Sequence, residues 1–262
     1  MKTPRAFDIF GNIALVKFDR KTSIKDKKLF ANKILKDNKS IKTVLEKTQK
    51  FKGRLRKQQT KHLVGEKTKE ALYRENNCVF RFHVDKTYFS PRLSTERKEI
   101  SQQVKKKDEV LVMFAGVSPY SIVIAKISRA KKIYSNEISR EANKYAKLNI
   151  ELNKLKKRVE LLPGDIKMVA LKLKKKRKRF DVIVMPRPQL KETFLHEAFS
   201  LSKNGTRIYY YDFCKENEID SIVEKVKAEA KKAHKKIKIL KIKKAGEIAP
   251  YRYRIRIDLR VL

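Results

Sequence analysis

Short apolar runs and longer amphipathic stretches alternate along this chain, and the texture changes near residue 85. Val110, Leu111, Val112, Met113 and Phe114 run without a polar break, the pattern of a strand buried on both faces. Further strand patterns cover 132–135, 159–162, 181–185 and 206–213. Between and after them, 119–128, 139–148, 191–202 and 219–234 space their apolar residues as helices do. This alternation predicts an α/β fold: a largely parallel, Rossmann-like sheet with helices on both faces.

The part before residue 85 predicts a small α+β domain. Two apolar pieces in F-D-I-F-G-N-I-A-L-V-K-F flank Gly11-Asn12, a hairpin signal. Ile24, Phe30, Ile34 and Leu35 mark an amphipathic helix, and Val79, Phe80, Phe82 and Val84 a strand. The expected division is therefore 1–84 and 85–262. The last segment alternates strictly, with Tyr251, Tyr253, Ile255, Ile257, Leu259 and Val261 on one face and Arg252, Arg254, Arg256, Asp258 and Arg260 on the other. It reads as a half-exposed strand near a sheet edge, its arginines meeting phosphate or protecting the edge.

Charge changes the picture. The 262 residues hold 68 Lys+Arg against 29 Asp+Glu, a formal charge of +39. Such a field draws in polyanions, so nucleic acid is the leading partner; a generally basic, solvated surface is the bland alternative. The basic run 172–179 reads as a solvated loop, and it and the run 231–244 add non-specific affinity at most. Cys78 and Cys214 form no disulfide framework, and His62, His83, His196 and His234 no ligand spacing, so no metal is expected. Met1 leads into no apolar targeting segment and no run is long enough for a bilayer, so a soluble cytoplasmic protein is expected, monomeric by default.

The candidate chemistry sits at V-M-F-A-G-V-S-P-Y-S, residues 112–121. Strand, glycine turn and helix N-terminus is where an α/β sheet binds a nucleotide-like ligand. Phe114, Ala115, Gly116 and Val117 would form the cofactor turn. Glu137, about 20 residues beyond the turn, ends the next strand and is placed for ribose hydroxyls. Asp165 follows the third strand. The dinucleotide fingerprint is absent, which disfavours a pyrophosphate cofactor; S-adenosylmethionine has no phosphate and needs only this looser arrangement. A plain glycine turn is the alternative. D-V-I-V-M-P-R-P (181–188) ends another strand in a rigid turn suited to one wall of a flat-base pocket. F-S-P-R-L-S-T-E-R (89–97) offers Arg92, Glu96 and Arg97. Its bland reading is a helix start capped by Ser94 or Thr95.

These four pieces, F-S-P-R-L-S-T-E-R, M-F-A-G-V-S-P-Y-S-I-x-I-A-K, D-V-I-V-M-P-R-P and R-I-Y-Y-Y-D-F, resemble the archaeal/eukaryotic-type tRNA (guanosine-37 N1)-methyltransferases in order and spacing. F-D-I-F-G-N-I-A-L-V and I-K-T-V-L look like that family's middle domain, and its small N-terminal domain is expected to be missing. The resemblance implies a class I methyltransferase that uses S-adenosylmethionine on the guanosine 3′ of the anticodon. It gives Glu96 as the base for the N1 proton and Arg56, in G-R-L-R, as the cation at guanine O6. Arg92 and Tyr88 line the active site, Glu137 binds ribose, Pro186 of the base-side turn counts with the catalytic residues, and Tyr88 and Pro188 contact the cofactor. Three positions depart from the family pattern: Val112 for an acid, Ser118 for a second glycine, and Pro186-Arg187-Pro188 for N-L-P or N-P-P. The lost asparagine leaves two acceptors open, N1 of guanosine alone or also C7 of the tricyclic wyosine precursor made by some archaeal relatives' pathway at the same position.

A non-catalytic tRNA-binding protein that keeps the fold is the other class of reading. A cytosine C5 enzyme is disfavoured because neither cysteine lies in the catalytic turn. An adenine N6 enzyme is disfavoured because 186–189 is not Asn/Asp-Pro-Pro-aromatic.

Overall fold

The computed structural model describes residues 7–48 and 58–262. The chain forms two compact units, Met1–Pro91 and Arg92–Leu262, so the division falls a few residues beyond the expected 84/85.

In the first unit, β1 (Phe7–Phe10) and β2 (Ile13–Val16) form the expected hairpin across Gly11-Asn12. Gly11 has φ +61°, and a Cβ there would lie 1.8 Å from the Leu72 carbonyl oxygen, so no other residue fits the turn. Helix α1 (Ile24–Asp37) is capped by Ser23, whose hydroxyl accepts from the Asp26 amide. It packs Ala31 and Ile34 against Ala14, Val16 and Val44 of the sheet. Strand β3 (Thr43–Lys47) pairs parallel with β2, and β4 (Thr60–Gly65) closes a sheet of order β1-β2-β3-β4. A separate ribbon joins β5 (Glu70–Glu75) to β6 (Cys78–His83). Phe82 of this ribbon stacks on Phe89, with ring centroids 4.6 Å apart.

The second unit begins with α2 (Ser94–Gln103). Neither Ser94 nor Thr95 is its cap: Leu93 holds that position without a side-chain cap bond. The α/β alternation then follows as expected: β7 (Glu109–Val112), α3 (Pro119–Ile127), β8 (Lys132–Glu137), α4 (Arg140–Leu152), β9 (Val159–Pro163), α5 (Ile166–Lys175), β10 (Phe180–Met185), α6 (Leu195–Ser200), β11 (Ser202–Lys215) and α7 (Ile219–Lys232). Strands β12 (Ile237–Ala249) and β13 (Arg252–Val261) complete a seven-stranded sheet of order β12-β13-β11-β10-β7-β8-β9. Strands β7 to β11 are mutually parallel, which requires the helical crossovers, while β13 runs antiparallel to both its neighbours. From β7 the chain moves outward through β8 and β9 and then returns to β10. The crevice at the C-terminal ends of β7 and β10 is therefore the topological switch point, where such sheets bind ligands.

Three readings from the pattern need correction. The C-terminal strand is no half-exposed edge: β13 lies between β11 and β12, and Arg254, Arg256 and Asp258 of its charged face are buried. The edge belongs to β12, hidden inside the basic run 231–244. The run 172–179 is no loop at its start, since α5 continues to Lys175. The helix expected over 191–202 is only Leu195–Ser200. Among the described residues no helix is long and apolar enough to cross a membrane.

The interior position of β13 has a measurable consequence. Ile257 is fully buried between two paired strands. Ile257→Ala should cost about 2–5 kcal/mol in equilibrium urea unfolding; an edge strand would lose far less.

Candidate active site

Four strand ends meet along one edge of the parallel sheet. After β7 the chain makes a tight turn in which Phe114 (φ 58°), Gly116 (φ 58°) and Ser118 (φ 67°) all adopt left-handed backbone. Only glycine does so without strain. The two other residues are held by specific contacts. Phe114 packs edge-on against Phe194 at 5.0 Å. The Ser118 hydroxyl shares a hydrogen bond with that of Ser135 at 2.8 Å, and Ser121 donates to the same Ser135 oxygen at 2.8 Å. The Ala115 amide donates to the Asn136 carbonyl, and the Val117 carbonyl accepts from the buried Asn149 amide. Pro119 then opens α3 at a position that needs no N–H.

Glu137, at the end of β8, closes this turn. One carboxylate oxygen accepts from the Gly116 amide at 2.8 Å and the other from the Ser139 amide at 2.7 Å. The carboxylate is thereby fixed beside the glycine, oriented before any ligand arrives. Asn136 donates to the Leu162 and Gly164 carbonyls and ties the end of β8 to that of β9. Asp165 has a local duty: it caps α5, accepting from the Lys167 amide at 3.0 Å. Val112 is wholly buried in the sheet.

At the end of β10 the Pro186-Arg187-Pro188 turn is held from within. The Arg187 side chain is 1% exposed. It donates to the Pro188 carbonyl at 3.1 Å and the Leu190 carbonyl at 2.9 Å, and pairs with Asp212 at 3.2 Å. Tyr210 donates to the same Asp212 carboxylate at 2.7 Å. The arginine faces the core, so the wall that this turn offers is built from half-buried prolines and main-chain carbonyls.

Glu96 stands in a different setting from a solvated base. Its side chain is 6% exposed and accepts from Arg256 Nη1 at 2.6 Å, Lys243 Nζ at 2.6 Å and the Tyr211 hydroxyl at 2.9 Å. Arg256 also binds Asp258 (2.7 Å) and Glu99 (2.7 Å), and Lys243 pairs with Glu99 as well. The charged partners of α2 come from β12 (Lys243) and β13 (Arg256), and Tyr211 comes from β11. Spacing could have shown one half of the cluster: Glu96 and Glu99 lie three residues apart on one helix face. Nothing local marks the other half. Of the remaining candidates, Arg92 is exposed at the start of the second unit and Tyr88 half-buried in the first. Arg56 lies outside the described residues.

A turn and a fixed acid at the switch point of a seven-stranded sheet with an antiparallel β13 make the comparisons with known proteins decisive. The model of the TRM5/TYW2 methyltransferase domain matches residues 71–240, and that of the TYW2 N-terminal domain matches 1–68. The chain belongs to the TRM5/TYW2 methyltransferase family.

Among its relatives, the tRNA (guanine(37)-N(1))/4-demethylwyosine(37)-methyltransferase Taw22 of Nanoarchaeum equitans is 35% identical, over 97% of this chain and 99% of its own. The tRNA (guanine(37)-N(1))-methyltransferase Trm5b of Pyrococcus abyssi is 34% identical over 98% of this chain and 75% of its own. Its crystal structure superposes with a TM-score of 0.86 at 33% identity over the same shares. The Methanocaldococcus jannaschii Trm5 structure in complex with adenosine gives 0.82 at 26% identity, covering 98% of this chain and 74% of that one.

The TRM5/TYW2 turn explains one departure in sequence. Position 118, glycine in the family pattern, is in fact left-handed here, and serine meets the demand through its buried hydroxyl contacts. The residues present suit S-adenosylmethionine: a carboxylate held by two amides for the ribose, and a turn that brings bare backbone close. Buried Val112 supplies no charge toward the methionine end.

The acidic cluster carries its own pH signature. Burial raises the Glu99 pKa, but hydrogen bonds and charges from Arg256 and Lys243 outweigh it and bring it from 4.5 to about 2. A carboxylate whose pKa falls on folding adds stability above its ordinary value and loses it as pH drops through the folded one. The thermal midpoint should therefore decline as pH falls from about 4.5 towards 2, and Glu99→Gln should flatten that decline in a pH series of melting curves.

Proposed function

We propose that this chain transfers a methyl group from S-adenosylmethionine to N1 of guanosine 37 in tRNA, on the 3′ side of the anticodon. The observation that carries the reading is the Glu137 carboxylate bonded to the Gly116 amide at 2.8 Å, at the C-terminal ends of adjacent parallel strands. That arrangement suits a ribose diol, and the missing dinucleotide fingerprint disfavours a pyrophosphate cofactor. Family membership supplies the reaction class, and the charge of +39 suits an RNA substrate in the cytoplasm.

Guanine N1 is protonated at neutral pH and attacks poorly until that proton leaves. Bound S-adenosylmethionine supplies the electrophilic methyl group. The chain has to orient the base, take the proton and stabilise charge at O6. We assign the proton to Glu96, the O6 charge to Arg56, further catalytic roles to Arg92 and Pro186, and cofactor contacts to Tyr88 and Pro188. Asp165 shapes the cofactor side by fixing the start of α5.

A second activity, methylation of C7 of 4-demethylwyosine at the same position, is favoured by the match to Taw22 over 99% of that protein. It is also favoured by a base-side turn whose only side chain with donors is turned into the core. A tricyclic base gains more from a smooth proline wall than from an amide that reads guanine.

Nucleoside mass spectrometry of tRNA treated with enzyme and S-adenosylmethionine tests both activities. Expected are 1-methylguanosine from guanosine-37 tRNA, no product from the same tRNA carrying adenosine 37, and a further methyl on tRNA carrying 4-demethylwyosine. Absence of the first product rules out the main reading, and absence of the last confines the enzyme to guanosine. Separately, Glu137→Ala should weaken S-adenosylmethionine binding at least about tenfold by calorimetry, the loss of a charged hydrogen-bond acceptor.

A further inference from the structure

The hairpin of β12 and β13 rises on the same edge of the sheet as the candidate site. Met185, the last residue of β10, is level with Tyr210 of β11. Past that level β11 runs on for five residues to Lys215, which pairs with Arg252 at the start of β13. The hairpin climbs with it, so its tip stands about 17 Å beyond the strand end that carries the base-side turn. The arm is braced along its length. Arg254 lies over the Phe213 ring at 5.2 Å and Lys244 over the Tyr253 ring at 4.6 Å.

The tip carries two costs that nothing in the fold offsets. The first is Tyr251. Ala249 pairs with Arg252 and leaves Pro250-Tyr251 as a two-residue loop. The fixed negative φ of proline excludes both primed turns that usually close such hairpins. Tyr251 has φ 59°, so the turn is of type II, whose second central position favours glycine. A tyrosine there is strained. Its amide donates to the Glu247 carboxylate at 3.2 Å, which holds the turn in place. Its ring recovers little by packing, since the residue is 80% exposed.

The second cost is charge. Lys215 and Arg252 are both exposed and lie directly opposite each other, so two like charges share one face of the ribbon. The carboxylates nearby are spent elsewhere: Glu216 takes Lys244 at 2.6 Å, Glu218 accepts from the Lys215 amide at 2.7 Å, and Glu247 holds Tyr251. An anion between Lys215 and Arg252 would remove their repulsion.

We propose that this tip holds one unpaired nucleotide of the tRNA anticodon loop, with Tyr251 stacked on its base and Lys215 and Arg252 on its phosphate. This rests on the reading of the chain as a methyltransferase acting at position 37 of tRNA. An open aromatic face beside cations is how proteins take single-stranded RNA, because every base has a face to stack while a duplex hides its own. The reaction also requires such a grip. A base that is methylated must leave its stack, which opens the loop around it. The distance from the strand ends to the tip suits a nucleotide a few positions from the one in the site. The glycine that the turn favours would give a relaxed hairpin with nothing to stack.

The affinity of Tyr251→Gly, Tyr251→Ala, Tyr251→Phe and Arg252→Gln for labelled guanosine-37 tRNA, read by fluorescence polarisation, tests the tip. Steady-state methylation, calorimetry for S-adenosylmethionine and a thermal melt accompany it. Tyr251→Gly and Tyr251→Ala should each weaken tRNA binding and raise its KM about tenfold, with kcat and S-adenosylmethionine affinity kept. Tyr251→Phe keeps the ring and should stay within about twofold of the wild type. Arg252→Gln should weaken tRNA and flatten the dependence of its affinity on salt. Tyr251→Gly relieves the left-handed strain and should melt no earlier than the wild type, so its lost affinity is not lost fold. Wild-type affinity and KM in both Tyr251→Gly and Tyr251→Ala overturn the proposal. Equal weakening of a blunt RNA duplex by Tyr251→Ala also overturns it, because a duplex offers no open base face. If the wild type methylates no tRNA and Tyr251→Ala still loses tRNA affinity but not duplex affinity, the stacking stands and the reading of the reaction fails.

Discussion

A fully buried guanidinium governs the second unit. Arg256 projects from the interior strand β13, and an isolated charge in that position would be prohibitive. Three carboxylates compensate it: Asp258 from two residues along the same strand, and Glu96 and Glu99 from α2. Removing any one would strand the rest, because breaking a buried pair costs more than forming it gains. The cluster therefore fixes the start of α2 against the antiparallel end of the sheet. It places the residue proposed as proton acceptor within reach of Tyr211. Burial raises the Asp258 pKa against the pull of Arg256, and for Arg256 itself hydrogen bonds to Asp258 and Glu99 outweigh desolvation. The structural duty of Glu96 and the chemical one proposed for it thus fall on one carboxylate.

This cluster also marks where reading the chain from its pattern stopped. The hairpin at Gly11-Asn12, the first helix and the α/β alternation from β7 to α7 follow from local periodicity, because each element buries a face whose residues are near in sequence. Strand β13 alternates arginine with apolar residues, and alternation of that kind normally means one wet face. The partner of Arg256 is Glu96, 160 positions earlier, so no window along the chain holds both. Strand β12 was hidden for a related reason. Its lysines resemble the solvated run in which they occur, although Lys243 points inward to Glu96 and Glu99.

The base-side turn gives a second instance. Pro186-Arg187-Pro188 was legible as rigid, and the substitution of its expected asparagine was legible as a loss. The direction of the arginine was not. Arg187 spends its donors on the Pro188 and Leu190 carbonyls and on Asp212, so it is an internal tie between the turn and β11. The excess of +39 is unchanged by this, since Arg187 takes the carboxylate of Asp212 inside with it. An excess of that size sustains long-range attraction of a polyanion.

The turn after β7 shows how the family's glycine can be replaced. Two non-glycine residues in left-handed backbone each cost about 1–2 kcal/mol. Glu137 repays part of that through its bond to the Gly116 amide, and the Ser118, Ser121 and Ser135 hydroxyls repay more by satisfying one another where no water enters. The strain is thus settled in folding and is not charged to ligand binding. A cofactor would meet a loop already bent and an acid already aimed, and its binding energy would go to alignment with the base. The same three-hydroxyl contact runs into α3, whose second residue is Tyr120. The three hydroxyls therefore tie the cofactor turn to β8 and to the start of α3, so the position of the turn is set by the packing of one helix start.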